Sequence, residues 1–502
     1  MKILHVASEC APLAKVGGLA DVVLGLTRAQ IAAGHEAEVI IPKYDCLDAS
    51  LIDHLHIEQR ELWSYFDGRW HPNIVWAGHV EGIKVYFLEA QNDHPFFERG
   101  RFYGCEDDVA RFNYFSRAVL EFLLKSGRSP DIIHHHDWQT AIMGPLLRDI
   151  YFDLGLTQPK LIYTIHNIEY QGWTNIAEVG KTGLHGMTYL VPHRLQDNYH
   201  DQTINLMKGG IVYADWVTTV SPNYAREVMT SEGGRGLEST LRAHDFKFSG
   251  VLNGLDYGYW NPADDRYLDN HYTWKKTPKS KTSLTFDKKA ANKAQLRERL
   301  MLDVDDGPIV GAVTRLVPQK GIELIKYALF RTLEKGGQFV LLGSSPIPSI
   351  DEEFHGLKQR FAHNKHVHFE LHHNEELAHL IYAGSDMFIV PSIFEPCGLT
   401  QLIALRYGSV PIVRKTGGLA DTVEDVDYSD APANQKNGFV FDHPDCQGVD
   451  SALLRALRYY YDEPKTWEKI AINGMKQDHS WTLSCEAYLK LYSQVCSMAK
   501  QR

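Results

Sequence analysis

The sequence predicts an α/β protein of two doubly wound parallel-sheet domains, and three observations carry the prediction. The chain has 502 residues, more than one hydrophobic core normally organises. Short apolar runs alternate with helix-period segments through both halves, the pattern of strands buried between helices. The phrase KVGGLADVV, Lys15 to Val23, returns almost unchanged as KTGGLADTV, Lys415 to Val423, each time where a strand-like run gives way to a helix-like one.

In the first half the expected strands are ILHVAS, AEVIIP, KVYFLEA, DIIHHH, KLIYTIH and WVTTVS. In the second they are PIVGAVTRL, QFVLLGSS, HVHFEL, DMFIVPS and SVPIVRKT, with helices such as GIELIKYALFRTLEKG between them. Between the halves, VLNGLDYGYWNPADDRYLDN is rich in Asn, Gly, Asp and Pro and reads as a connection. The expected division is a first Rossmann-like domain over 1–258, a link over 259–270 and a second Rossmann-like domain over 271–480. Over 481–502, Leu483, Ala487, Leu491 and Val495 recur at fours and predict a closing amphipathic helix. Periodicity does not say which domain it packs on, and a return to the first is the option considered.

Hydrophobic residues make up 44% and charged residues 23%, which suits a globular protein and excludes a disordered one. The net charge of −11 argues against a nucleic-acid partner, whose phosphates need a basic face. The lysine-rich run from Lys275 to Lys289 is read as a solvated linker or helix entry and is given no site. The 7 cysteines form no C-x-x-C pair, so neither a disulfide framework nor a zinc knuckle is expected and the compartment reads as reducing. No apolar stretch approaches a membrane span, and MKILHVASECAP enters a strand-like run at once. A cytoplasmic protein, or a plastid form already trimmed, is the expectation.

Each glycine phrase sits at a strand-to-helix turn. Glycine permits close backbone approach, and the amides of a helix start favour an anion such as a diphosphate, with the preceding lysine adding positive charge. A mere tight turn is the alternative. In open parallel sheets ligands lie beyond the carboxyl ends of the strands, so two facing domains would bring both loops to one cleft.

The most informative stretch is PSIFEPCGLTQLIALRYGSVPIV. It sets Glu395 after a strand, then Pro396 and Gly398 at an expected helix start with the amides of Gly398 to Thr400 outward, a carboxylate beside an anion site. Glu395 as an ordinary helix cap is the alternative. TRLVPQKG sets Arg315 and Lys320 after the first strand of the second half, where two cations can neutralise a departing phosphate or form a solvated pair. TIHN puts His166 at a strand end, and HHHDWQTA puts Asp137 beside His136 and Trp138. The histidine triplet is not expected to bind metal, because adjacent side chains on a strand point to opposite faces.

Taken in order, KVGGLADV, HHHDWQ, TIHN, TRLVPQKG, FEPCGLTQ and KTGGLADTV resemble the bacterial glycogen synthases and plant starch synthases over essentially the whole chain. These are retaining glucosyltransferases of the GT-B architecture, two Rossmann-like domains with a cleft between them. The wording of AKVGGLADVV, PKYDCL, HLIYAG and PSIFEPCGLTQLIALRYGSVPIVRKTGGL is most similar to the starch synthase III and IV branch.

The resemblance implies ADP-glucose as donor, an α-1,4-glucan such as glycogen, starch or malto-oligosaccharide as acceptor, and neither cofactor nor metal. It implies that Lys15, with the backbone of Gly17 and Gly18, contacts the donor or the closing cleft, and that Asp21 and Asp137 face glucose or acceptor. His166 would touch the transferred glucose, Arg315 and Lys320 the phosphates, and Glu395 the sugar hydroxyls near the reacting carbon. The amides of Gly398, Leu399 and Thr400 would cradle the distal phosphate, and Asn253 would lie at the cleft. His373 stands where the family has a tyrosine stacked on the base; its ring can stack, but ADP over UDP then rests on the family alone.

Retention by double displacement would need a carboxylate nucleophile about 5 Å from a partner acid. The family's alternative is same-face attack, in which a leaving phosphate oxygen takes the acceptor's proton while Arg315 and Lys320 hold the growing charge. The DVD triplets Asp303 to Asp305 and Asp425 to Asp427 are read as loop acids. A phosphorylase-like enzyme would need pyridoxal phosphate on a lysine, a dinucleotide oxidoreductase would need a G-x-G-x-x-G that the first strand lacks, and a non-catalytic glucan-binding scaffold would have lost the donor residues present here.

Overall fold

The computed structural model describes residues 1–92, 94–274 and 284–498. The chain divides into two compact units, Met1–Gly254 together with the chain from Trp481 onward, and Leu255–Ser480.

The strands of the first unit are β1 (Lys2–Val6), β2 (Glu36–Pro42), β3 (Asp53–Phe66), β4 (Arg69–Val80), β5 (Ile83–Ala90), β6 (Ile132–His136), β7 (Lys160–Ile165), β8 (Trp173–Thr174), β9 (Ile204–Asn205), β10 (Trp216–Thr219) and β11 (Phe248–Gly250). All but β8 and β9 form one sheet, in the order β11-β10-β7-β6-β1-β2-β5-β4-β3. Its pairs are parallel from β11 to β5, and β5, β4 and β3 pair antiparallel. Strand order reverses between β1 and β6, which opens a crevice at their carboxyl ends.

The β3–β4 hairpin is absent from the strands expected in sequence. It turns at Asp67 and Gly68, with φ of 50° and 80°, the conformation that an Asp-Gly pair between two strands favours. Leu62, Ser64 and Phe66 face inward while Trp63 and Trp70 face solvent.

In the second unit β12 (Ile309–Val313), β13 (Gln338–Leu342), β14 (Val367–Glu370), β15 (Met387–Val390), β16 (Val410–Arg414) and β17 (Phe439–Phe441) form one parallel sheet, ordered β14-β13-β12-β15-β16-β17. Its reversal lies between β12 and β15. The three-residue β17 is too short to announce itself by pattern.

The region 259–270 differs from the expected bare link. Trp260 stacks on His379 with ring centroids 4.1 Å apart. The buried Asp265 carboxylate pairs with His379 at 2.7 Å and accepts the Tyr407 hydroxyl. An aromatic cluster closed by an ion pair makes this stretch part of the second unit's core.

The closing helix, Trp481–Ser497, packs within the first unit. The Trp481 indole occupies the space that a Cβ on Gly25 would need, in the helix Gly18–Ala32. Its buried face is Trp481, Cys485, Tyr488, Leu491, Tyr492 and Val495. Leu483 and Ala487, counted on that face from their spacing, are exposed. The face follows the aromatic and sulfur side chains at three- and four-residue steps, so a strict four-residue ladder drifts off it.

Of the lysine-rich run, 275–283 lies outside the described residues. The helix Leu284–Leu300 follows, and its Lys289 is not solvated. The Lys289 ammonium is buried and donates to the carbonyls of Ala383 (2.9 Å) and Tyr407 (3.1 Å) and to the Ser409 hydroxyl (3.1 Å). Burial pulls its pKa down to about 7.

Candidate functional site

Most of the predicted site residues follow strands at or next to the two strand-order reversals, one in each unit; Asn253 follows the edge strand β11 and His373 the edge strand β14. In the first unit the chain leaves β1 through Ser8 and Glu9, and Glu9 is only 4% exposed. One of its carboxylate oxygens accepts the amides of Val16 (2.7 Å) and Gly17 (3.0 Å), and the other accepts the Tyr103 hydroxyl (2.7 Å). Burial raises the Glu9 pKa, and these hydrogen bonds oppose the rise. The first glycine loop is therefore folded around an anion that the chain itself supplies, and the Gly17 amide, expected to face the donor or the closing cleft, is engaged by Glu9.

A Cβ on Gly17 or Gly18 would meet nothing within 4 Å, so the outer side of the loop is open. Lys15 reaches Asp21 in the first helical turn at 2.8 Å, and both side chains stay partly in solvent. The acid also suits the positive end of the helix Gly18–Ala32.

Across the reversal, β6 ends at His136 and Asp137 follows with φ of 53°, a left-handed conformation unusual for a non-glycine residue. Asp137 Oδ1 accepts the His166 amide at 2.7 Å, and burial pushes its pKa up to about 7. His166, half-buried at the end of β7, meets His136 Nδ1 through its Nε2 at 3.0 Å. Burial holds the His166 pKa at about 3, so the ring is neutral. The buried Asn253 has a side-chain oxygen with no hydrogen-bond partner among the described residues.

The histidine triplet corrects one sequence expectation. His134 and His136 lie two apart and share a face of β6, and His5 of β1 joins them, so that ligand-type atoms of all three lie within 4.8 Å of one another. Their ring nitrogens are engaged in hydrogen bonds: His5 with Gln30 and His136, His134 with Tyr492 and Thr164, His136 with His166.

In the second unit Lys320 ends the turn Pro318–Lys320. Gly321 follows with φ of 73°, and a Cβ there would strike the Pro391 carbonyl at the exit of β15. That close approach delivers Lys320 to Glu395, Nζ to Oε2 at 2.6 Å, and the Ser392 hydroxyl donates to the same oxygen at 2.8 Å. Glu395 is 6% exposed. Arg315, beyond the end of β12, is exposed, and no ion pair engages it among the described residues.

The second glycine phrase lies against this loop. A Cβ on Gly417 would fall on the Glu395 carbonyl oxygen, one on Gly418 would fall on that of Cys397, and the Gly418 amide donates to the Glu395 carbonyl at 3.1 Å. Gly398 is left-handed at 75° and opens the turn into the helix Thr400–Arg406, with Leu399 at its N-cap. Gln401 braces the turn from inside, donating to the carbonyls of Cys397 (3.1 Å) and Gly398 (2.9 Å). His373 stands 86% exposed before the helix Glu375–Gly384, 3.3 Å from Glu375.

The DVD triplets are held by arginines. Arg297 pairs with Asp305 at 2.9 Å, and Arg455 spans Asp425 and Asp427 at 2.9 and 2.8 Å.

Glu9, Tyr103, Ser392 and Gln401 escaped the sequence reading. Glu9 carries a signal, a carboxylate just past the first strand; the rest depend on tertiary approach and leave no spacing signal.

Chemically, the second unit offers a lysine–carboxylate pair, an exposed guanidinium and a glycine-led helix start, a set suited to hydroxyls beside phosphates. The first offers an open loop, a buried acid and neutral histidines. Among the described residues, no helix is long and apolar enough to cross a membrane.

Comparison with known proteins agrees with this chemistry. The family profile described as starch synthase catalytic domain matches residues 2–243, and that of glycosyl transferases group 1 matches 297–477. The chain is 57% identical over 496 residues to a glycogen synthase of Protochlamydia amoebophila, covering 99% of each. It is 49% identical over 500 residues to the probable starch synthase 4 of Arabidopsis thaliana, covering 99% of this chain and 47% of that one. The solved catalytic domain of Arabidopsis thaliana starch synthase IV superposes with a TM-score of 0.93 at 48% identity, covering 99% of both chains. A sucrose-phosphate synthase of Thermosynechococcus elongatus, 18% identical with a TM-score of 0.60, shares the fold. With two Rossmann-like units of the GT-B class and this degree of identity along its whole length, the chain belongs to the glycogen and starch synthase family of glycosyltransferases.

Proposed function

We propose that the chain transfers glucose from ADP-glucose to the 4-hydroxyl at the non-reducing end of an α-1,4-glucan, with retention of configuration. The observation that carries this reading is the Lys320–Glu395 pair at the strand-order reversal of the second unit, next to the turn of Gly398 and the helix start at Thr400. A hydrogen-bonding carboxylate suits sugar hydroxyls, and cations with helix-start amides suit a diphosphate. The Arabidopsis starch synthase IV catalytic domain was solved bound to ADP and acarbose, which supports an adenine nucleotide and a glucan-like ligand here.

In this reading Arg315 and Lys320 neutralise the diphosphate, and the amides of Gly398, Leu399 and Thr400 hold its distal phosphate. Glu395 binds sugar hydroxyls and His373 lies at the base. Lys15, Gly17, Gly18, Asp21 and Asn253 attend the donor, and Asp137 and His166 attend the transferred glucose and the acceptor.

Two observations favour same-face attack over double displacement. Glu395 Oε2 is tied to Lys320 and Ser392. Asp137 Oδ1 is occupied with the His166 amide. The leaving phosphate oxygen then takes the acceptor's proton as the new glycosidic bond forms, with retention enforced by the shared face. Lysine, arginine and amides meet the charge without a metal or a cofactor.

The test is transfer of labelled glucose from ADP-glucose or UDP-glucose, with and without glycogen and with and without EDTA, and the anomer of the product read by NMR. Glucan-dependent transfer from ADP-glucose that survives EDTA and gives an α-linkage is expected. No transfer from either donor would overturn the reading, and transfer from UDP-glucose alone would overturn its donor.

A further inference from the structure

We propose that a buried chain of hydrogen bonds, Gln30–His5–His136, sets which nitrogen of His166 carries the proton, and so presents His166 Nδ1 as a hydrogen-bond acceptor to a hydroxyl of the transferred glucose. The proposal rests on the assignment of His166 to that sugar under Proposed function.

The geometry is continuous. Gln30 Oε1 meets His5 Nε2 at 2.8 Å, His5 Nδ1 meets His136 Nε2 at 3.2 Å, and His136 Nδ1 meets His166 Nε2 at 3.0 Å. Gln30, His5 and His136 are fully buried, and burial drives the His5 pKa down to about 4 and that of His136 well below its usual value. A neutral imidazole has one N–H and one lone pair, so the direction chosen at one end propagates to the other. If Gln30 Oε1 accepts from His5 Nε2, then His5 Nδ1 accepts from His136, and His136 Nδ1 accepts from His166 Nε2. The proton of His166 is thereby committed inward. Its Nδ1 keeps a lone pair and has no partner among the described residues.

The direction is set at the Gln30 end. The Gln30 amide N–H donates to the Tyr492 hydroxyl at 3.3 Å, which leaves its oxygen for His5. Tyr492 in turn donates to His134 Nδ1 at 2.7 Å, and His134 Nε2 donates to Thr164 at 2.6 Å. This arrangement gives His5, His134, His136 and His166 the Nε2–H form, the tautomer a free histidine side chain prefers. With the nitrogens of the buried triplet so engaged, a metal would have to break several of these bonds, and we read the cluster as a positioning relay for His166.

Gln30→Met keeps the volume and removes the anchor; Gln30→Glu keeps an acceptor at the same place. Loss of one oriented hydrogen bond in the transition state predicts about a tenfold lower kcat for Gln30→Met, with the KM for ADP-glucose and the melting temperature little changed, and restoration by Gln30→Glu. Should Gln30→Met fail to fold, Tyr492→Phe, which frees the amide to reverse, takes its place and is expected to lower kcat about threefold. Independently of activity, 15N NMR of histidine-labelled protein, with the His166 signal assigned from His166→Ala, is expected to show a proton on Nε2 and an unprotonated Nδ1.

A proton on His166 Nδ1, a stoichiometric metal in the purified protein, or wild-type kcat in folded Gln30→Met would each overturn the relay. Undiminished turnover in His166→Ala would instead overturn the assignment of His166 to the sugar, and the proposal with it.

Discussion

The two glycine phrases share seven of nine letters and do different work. Around Gly17 and Gly18 the outer face is open, and the loop is tied down from beneath by Glu9. Gly417 and Gly418 are pressed against the carbonyls of Glu395 and Cys397, so their missing side chains make room for the protein's own backbone. The first pair leaves space for a ligand; the second shapes the turn that carries Glu395 and Gly398. The positions differ too: the first phrase follows β1, beside the reversal of its sheet, whereas the second follows β16, one strand beyond the β12–β15 reversal, so similar wording serves two different places in the fold.

The sharpest way to break this comparison is to add a methyl group to each phrase. Gly417→Ala combines a left-handed φ of 44° with a backbone clash and should cost more than about 4 kcal/mol, seen as loss of cooperative unfolding or of soluble protein. Gly17→Ala should cost no more than about 1 kcal/mol of stability while impairing use of the donor. Equal melting temperatures for the two variants would end the distinction.

Next in size is Lys320→Ala. Loss of one charge-stabilising donor should lower turnover about 100- to 1,000-fold at saturating ADP-glucose. Near-normal turnover would remove Lys320 from the diphosphate.

Acid should separate the units. His5, His135 and His166 are held by burial at about 4, 3 and 3, and His134 and His136 well below 6.5, all in the first unit. Their unfolded forms take up protons first, so stability falls as pH drops from about 6.5 toward 4, by about 1.4 kcal/mol for each such histidine at pH 5.5. Asp137, raised to about 7, binds its proton more tightly when folded and offsets part of the loss.

In the second unit burial holds the His479 pKa at about 4 and lowers that of His368, fewer acid-labile histidines than in the first unit. Burial also lowers the His379 pKa, but the bonds of His379 to Asp265 and Glu375 outweigh that and raise it. Its contribution is present below pH 6.5 and fades only as pH rises through the folded value. Hydrogen exchange at pH 5.5 should therefore show the first unit opening before the second.

The smallest effect belongs to Lys15→Ala. An exposed pair with Asp21 should change stability by less than about 0.5 kcal/mol, with a higher KM for the donor as the visible outcome.

Local pattern revealed the buried parallel strands because both of their faces are apolar, and it revealed Glu395, Lys320 and Gly398 because they cluster on short turns. It did not reveal the β3–β4 hairpin, although Asp67-Gly68 between alternating runs was a usable signal. Nor could it show that Trp260 and Asp265 belong to a core, since their partners His379 and Tyr407 lie more than a hundred residues away. The orientation of His134 and His136 was misjudged for a similar reason. The rule that neighbours on a strand diverge is sound, but the first and third of three agree, and only the pairing of β1 with β6 brings His5 to them.

Because the helix Trp481–Ser497 completes the first unit, the second unit is an insertion within it, and the first unit must wait for that helix. During synthesis the sheet around β1 emerges before the second unit, yet Ile3, Val22 and Leu26 remain without Trp481, Tyr488 and Tyr492 until the second unit has followed. The second unit, continuous from Leu255 to Ser480, has no such delay. A nascent chain released short of Trp481 would therefore carry one finished half and one with an apolar seam open to water, a natural target for chaperones and proteases.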